Sequence, residues 1–159
     1  ISPDAPGLFS TGLNNGFSFS PIMPLEPNSW YSVTVSSSLQ SLNGDHLTQP
    51  RTFSFRTVPF KLMYSYPQDG TTGFSRTSSI YFSFSATLDT ATIRNAFHIS
   101  PDIPGVILYN SQPTWSFTFS PTGGFSTYSV YPVSIDTTLT SNSGYRLRSP
   151  HQLIFATGQ

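Results

Sequence analysis

The 159-residue sequence contains no cysteine. That excludes a disulfide framework, a thiolate metal site and a cysteine nucleophile. Charge is almost as scarce. Asp, Glu, Lys and Arg make up 9% of the chain, against roughly 25% in ordinary globular proteins. Seven basic residues offset seven acidic ones, and Lys61 is the single lysine. Six arginines spread along the chain make no basic patch, which excludes a nucleic-acid binder that works by phosphate neutralisation. It also argues against attraction to an anionic membrane. No apolar run reaches the roughly 18 residues of a membrane-spanning helix, so direct membrane insertion is not expected. No charged-then-apolar leader opens the sequence, which predicts that any secretory signal lies outside it.

Hydroxyl groups stand in for charge. Serine and threonine account for 46 residues, with 14 prolines and 11 glycines between them. The common helix formers are thin and Thr, Phe, Tyr and Val plentiful, a composition that disfavours helix and favours strand. Alternation has period two: Ile80, Phe82 and Phe84 interleave with Tyr81 and Ser83, and Trp115, Phe117 and Phe119 with Ser116 and Thr118. Tyr31, Val33 and Val35, then Phe53 and Phe55, repeat the pattern. Each run predicts a strand with one apolar face, and short strands bounded by Pro, Gly or Asn point to a sandwich or barrel. One helical turn is expected over 89–96, capped by Asp89. Turns are expected at Pro67–Gly70 and Asn43–Asp45.

The chain repeats itself. Ile1-Ser-Pro-Asp4 recurs as Ile99-Ser-Pro-Asp102, and Pro6-Gly7 as Pro104-Gly105. The offset then becomes 100: Phe17-Ser-Phe-Ser-Pro21 with Phe117-Thr-Phe-Ser-Pro121, Tyr31-Ser-Val with Tyr131-Pro-Val, and Phe55-Arg-Thr57 with Phe155-Ala-Thr157. A unit of about 100 residues has the size of one β-sandwich. Residues 60–159 hold a full copy. Residues 1–59 hold the C-terminal part of another, with nothing equivalent to 60–98. Aromatic-polar alternation also fits a membrane β-barrel, but the prolines at 21, 50, 121 and 150 recur at repeat positions and read as strand ends.

The motifs resemble the bacterial Ig-like domains of S-layer and other surface proteins. Tyr66-Pro-Gln-Asp-Gly70, Ile80 to Ser85, Leu88-Asp89, Phe97 to Pro101, Trp115 to Pro121, Tyr128 to Ile135 and Phe155-Ala-Thr157 follow the family's order. In the first copy, Leu25-Glu-Pro-Asn-Ser-Trp-Tyr31 fits one element better than Gly123-Gly-Phe-Ser-Thr-Tyr128 does in the second. The resemblance implies an all-β architecture of tandem Ig-like Greek-key β-sandwiches, one complete and one lacking its opening strands. It further implies an extracellular structural or binding module strung in arrays.

No side-chain constellation points to catalysis. His46 beside Asp45, His98 and His151 are the only imidazoles. His46 stands where the second copy has Tyr145, and His151 where the first has Arg51. No nucleophile elbow, zinc helix or phosphate loop occurs. The expectation is no enzyme, no cofactor and no metal. Asp69, Asp89 and Asp136 read as turn and cap residues, with Asp69 and Asp102 the carboxylates weighed for a calcium site. Trp30, Tyr31, Phe74 and Tyr145 are the aromatics expected to meet a ligand or an interface, and Trp115 is expected in the core.

A half-sandwich cannot bury its inner face, so residues 1–59 are expected to expose Phe17, Phe19, Val33, Val35, Phe53 and Phe55. Two covers come into view: strands lying upstream in a longer array, or strands supplied by a neighbouring copy. A joint stiffened by Pro59, at Val58-Pro59-Phe60, is expected between the copies. The reading is an extracellular, cell-surface structural or adhesive module. It contacts neighbouring Ig-like domains or copies of itself, with a filament or S-layer-like component as the assembled form. The alternative is a carbohydrate-binding accessory module of a secreted protein, whose partners are surface glycans.

Overall fold

The computed structural model describes residues 1–12, 16–109 and 113–159. The chain divides into two compact units, Ile1–Val58 and Pro59–Gln159.

The second unit is a two-layer β-sandwich. One sheet has the order β5 (Leu62–Tyr66), β6 (Ile80–Phe84), β9 (Ser116–Pro121), β8 (Gly105–Leu108), and the other β11 (His151–Ala156), β10 (Val130–Ile135), β7 (Phe97–Ile99). Pairing is antiparallel throughout. With strands lettered A to G in chain order, these sheets are A-B-E-D and G-F-C, the Greek-key arrangement of the seven-strand immunoglobulin sandwich. Alternation decides which side chains enter. Ile80, Phe82 and Phe84 are buried from β6, Phe117 and Phe119 from β9, Tyr131, Val133 and Ile135 from β10, and Leu153 and Phe155 from β11. The helix α1 (Thr90–Ala96) links B to C. Asp89 caps it, its carboxylate accepting the Ala91 N–H at 3.1 Å, and Ile93 and Ala96 are its buried residues.

Trp115 departs from the alternation. It lies just before β9 and is 47% exposed. The inward place goes to Thr114, which is buried and donates its hydroxyl to the Ser116 carbonyl at 2.9 Å. With Thr114 turned in, Trp115 is turned out.

The first unit contains β1 (Gly7–Thr11) paired with β2 (Phe17–Pro21), and β3 (Trp30–Val35) paired with β4 (Arg51–Arg56). These correspond to D-E and F-G, and their registers repeat those of the second unit: Gly7 opposes Pro21 as Gly105 opposes Pro121, and Tyr31 opposes Phe55 as Tyr131 opposes Phe155. Trp30 is the opening residue of β3.

Two local devices recur in both units. At the E–F corner the Tyr131 hydroxyl accepts the Ser126 N–H at 2.8 Å, and the Tyr31 hydroxyl accepts the Glu26 N–H at 3.0 Å. This is the tyrosine corner of immunoglobulin-like sandwiches. The threonine that ends each repeat closes the same corner. Thr157 accepts from Ser129 N–H at 3.0 Å and donates to the Ser126 carbonyl at 2.6 Å; Thr57 does so with Ser29 and Glu26 at 2.9 and 2.5 Å. The recurring glycine of strand D is the second device. A Cβ on Gly105 would lie 2.3 Å from the Phe119 ring, and one on Gly7 equally close to Phe19. The glycine leaves room for the ring to lie across the neighbouring strand.

Two substitutions test these points. Gly105→Ala must displace Phe119 from a packed core and is expected to cost about 1–3 kcal/mol. Gly123→Ala, with no atom within 4 Å of its Cβ position, is expected to change stability by less than about 0.5 kcal/mol. Equal urea midpoints would refute the packing argument. Tyr128 holds φ at +49°, where the first copy has Asn28 at +57°. The short polar side chain of asparagine, which can hydrogen-bond to the local backbone, tolerates this region better than tyrosine. Tyr128→Asn is therefore expected to raise stability by about 1 kcal/mol, read as a higher thermal midpoint.

Candidate interaction surfaces

The histidines occupy unrelated environments. His98 and His151 lie on strands that flank β10, in adjacent residue rows of one sheet. His98 stands beside Ser134, in the outward row with Gln152, and His151 stands beside Ile135, in the inward row with Phe97. Successive rows face opposite sides of a sheet, so the two imidazoles point apart. His46 is an exposed residue of the first unit, in an isolated bridge with Gln40.

His98 Nε2 and Asp136 Oδ2 are 3.0 Å apart at the surface. Asp136 also accepts the Thr138 N–H at 2.7 Å and the Thr138 hydroxyl. The hydroxyl bond first, then His98, hold the Asp136 carboxyl down at about 2. Burial pushes His151 below the ordinary histidine value, with the Asp69 charge opposing. Among the described residues its buried Nε2 has no hydrogen-bond partner, and its ring stands edge-on to Phe82. Two further carboxylates do local work: Asp69 accepts the Ile154 N–H at 2.8 Å and Asp89 caps α1. Among the described residues no three His, Asp or Glu side chains gather where they could hold a metal ion.

Two open grooves flank β7. One, of about 510 Å³, lies along the outer face of the G-F-C sheet and is lined by His98, Ser100, Ser134, Gln152, Ile154 and Asp69. The other, of about 580 Å³, is lined by Arg94, His98, Asp102, Ile107 and Phe119, among others.

The four aromatics expected at a surface separate into two pairs. Trp30 is 64% exposed and Tyr145 is also at the surface. Tyr31 and Phe74 are buried and offer no ring face to a ligand. The Tyr31 ring stacks on Phe55 at 5.7 Å while its hydroxyl closes the corner, and Phe74 is enclosed by Phe125, Phe155 and Tyr66. Trp115 joins the exposed set. Tyr64 and Tyr66 of β5 and half-buried Tyr81 of β6 add aromatics that the strand alternation placed outward, in a row not singled out from sequence.

The first unit carries exposed apolar side chains on the face its strands turn inward in the second. Phe9, Phe17 and Phe53 are exposed, with Phe19, Val33 and Val35 half-buried. The Phe9 ring packs on Phe19 at 5.1 Å and on Phe17 at 6.2 Å.

Comparison with known proteins agrees with this geometry. The family model described as "Bacterial Ig-like domain" matches residues 9–57 and again 57–157. Among solved structures, CopC of Methylosinus trichosporium OB3b shares the fold at TM-score 0.50 and 12% identity, over 62% of this chain and 93% of CopC. The N-terminal part of the bacterial S-layer protein SbsC is similar at TM-score 0.44 and 15% identity, over 62% of this chain and 23% of that one. The search of curated proteins gave no match.

The two shifted groups predict how stability follows pH. His151 has a folded pKa below its unfolded value, so the unfolded chain binds the proton more tightly. Its contribution is full above the ordinary value of 6.5 and is lost as pH falls below it. Asp136 contributes fully above its ordinary 3.8, and the contribution drains away as pH falls toward about 2. Urea midpoints are expected to decline in two steps. His151→Gln should flatten the upper step and Asp136→Asn the lower; unchanged profiles would refute the assignments.

Proposed function

The chain belongs to the bacterial Ig-like domain family, and from that premise we propose a non-enzymatic structural and adhesive role outside the cell or at its surface. Contacts with neighbouring Ig-like domains or with copies of itself run through sheet faces and edges. One observation carries this reading. None of the seven strands of the second unit contains Asp, Glu, Lys or Arg. The strands therefore present hydroxyl, aromatic and aliphatic faces, with charge confined to flanking groups such as Asp69 and Asp136, so like-charge repulsion between copies is weak. Edge strands in monomeric proteins are commonly guarded by lysine. Here the edge strand β8 instead exposes Val106 and Leu108. An assembled filament or layer is the architecture this surface suits.

The test is the concentration dependence of sedimentation. Association of the chain is expected to persist from about 0.05 to 0.5 M salt, since screening acts on charges. Placing a guard on the edge, Val106→Lys with Leu108→Lys, is expected to weaken it at least tenfold with the fold intact. A chain that stays monomeric at high concentration, or associates regardless of the guard, overturns the reading.

A second reading rests on the exposed indole of Trp30: a carbohydrate-binding accessory module, in which a flat ring stacks on a sugar face. It predicts retention on a neutral polysaccharide that Trp30→Ala abolishes while the thermal midpoint holds. Absence of retention on any glycan removes it.

A further inference from the structure

Three tyrosines gather on the outer face of the A-B-E-D sheet, and a bulge puts one of them there. Leu62 and Tyr64 are two residues apart and would share a face in a regular strand. The register of β5 shifts between them, so Leu62 opposes inward Phe84 while Tyr64 opposes outward Ser83. Leu62 packs against the core and Tyr64 is exposed. Bulges re-aim side chains in this way beside functional sites. Tyr66 stands opposite Tyr81 in the next outward row. The rings are braced by their neighbours. Tyr64 and Tyr81 are 6.2 Å apart at 52°, and Tyr66 meets buried Phe74 edge-on at 5.5 Å.

Hydroxyl groups continue the face. Tyr81 opposes Thr118, and Ser83 opposes Ser116, across β6 and β9. At one end of the face Ser79 and Ser120 bond to each other at 2.9 Å. Ser83, Ser116 and Thr118 are half-buried, and among the described residues their hydroxyls have no hydrogen-bond partner. The same holds for the phenol groups of Tyr64, Tyr66 and Tyr81, whereas Tyr31 and Tyr131 each spend theirs on a backbone N–H. None of the four strands contains Asp, Glu, Lys or Arg.

This chemistry selects its ligand by elimination. A charged partner finds no counter-charge on these strands. An apolar protein face would bury the free hydroxyls without partners, which is costly. A sugar ring meets both demands, with a C–H face for the phenol rings and a rim of hydroxyls that donate and accept. Tyrosine supplies such contact area with little conformational entropy to lose. We infer that the outer face of the A-B-E-D sheet is a binding platform for an uncharged polysaccharide, with Tyr64 and Tyr81 as the stacking rings and Ser83, Ser116 and Thr118 as the polar contacts. Neighbouring strands are about 4.8 Å apart, so the row Tyr66-Tyr81-Thr118 spans about 10 Å, enough for more than one sugar unit laid across the strands. Trp30 belongs to the first unit, and the platform does not involve it.

The test is affinity electrophoresis of the 159-residue chain through gels cast with xylan, galactomannan or hydroxyethylcellulose, with anionic pectate as the control. Retardation is expected in at least one neutral gel and not in pectate, and is expected to hold from about 0.05 to 0.5 M salt. Tyr64→Ala should weaken binding about tenfold or more, while Tyr64→Phe keeps most of it. Thr118→Val, which removes a hydroxyl and little volume, should weaken it about threefold. Thermal midpoints check that the fold is intact; should Tyr64→Ala lower the midpoint, Thr118→Val decides alone. No retardation in any neutral gel overturns the inference, as does binding that survives both variants. Retardation lost in Trp30→Ala but not in Tyr64→Ala places the sugar on the first unit and overturns it as well. If Tyr64→Ala abolishes association between copies and no sugar binds, the face is a protein interface and the inference fails.

Discussion

The ring of Phe97 lies between the two layers of the second unit, its centroid 5.0 Å from that of Phe119, 5.9 Å from Phe117 and 6.1 Å from Phe82. It comes from the G-F-C sheet, and its three partners come from the A-B-E-D sheet. Aromatic side chains bring 150–250 Å² each to such a contact. Burial at about 25 cal/mol per Å² makes each worth several kcal/mol against the entropy of ordering the chain. The remaining architecture keeps this ring in place. The helix α1 brings the chain across from B to C and ends at Phe97 itself, whose N–H still bonds to the Ile93 carbonyl. Gly105 leaves room for Phe119 to lie flat against its neighbour strand.

The hairpins of the first unit nonetheless keep native register, because the forces that set register are local. The Tyr31 hydroxyl and Thr57 close the E–F corner through hydrogen bonds to Glu26 and Ser29. Phe9 leans on Phe19 within its own hairpin, and Tyr31 stacks on Phe55 within the other. Corner and cross-strand contacts of this kind are worth roughly 0.2–1 kcal/mol each. They suffice to select a pairing and fall short of a core. The unit is shaped before it is stabilised.

Much of the fold was legible in the amino-acid pattern, because a two-sided sheet writes its faces into a period of two. Ile80-Phe82-Phe84 is buried as its alternation predicts, and Asp89 caps the single helix of the described residues where expected. The repeat matches Tyr31 with Tyr131 and Thr57 with Thr157, and both pairs do the same corner work. The repeat offers no reason for them, since the bonds join residues up to 31 apart. The alternation does not reach Trp115, because β9 begins at Ser116 and Thr114 takes the inward place. The burial of Tyr31 and Phe74 has a different cause: their covering rings are distant in sequence, Phe55 for Tyr31 and Phe125 and Phe155 for Phe74. The His98–Asp136 pair spans 38 residues and has no signature at all.

Low charge and internal repetition pull against each other. Neutral sheet faces allow close contact between copies, and nearly equivalent hairpins invite the wrong strands to pair. Specific recognition then has to come from connectivity. A strand set joined directly to the half it completes acts at an effective concentration in the millimolar range, whatever the affinity of the separate pieces. The Ser2–Ser32 bridge, two hydrogen bonds of 2.8 Å, fixes the register of the backbone that lies beside β3. A one-residue slip there would turn every inward side chain of the strand outward. A backbone bridge at the entry to the first unit can thus select the correct partner for a face whose own chemistry, phenylalanine and valine, selects almost nothing.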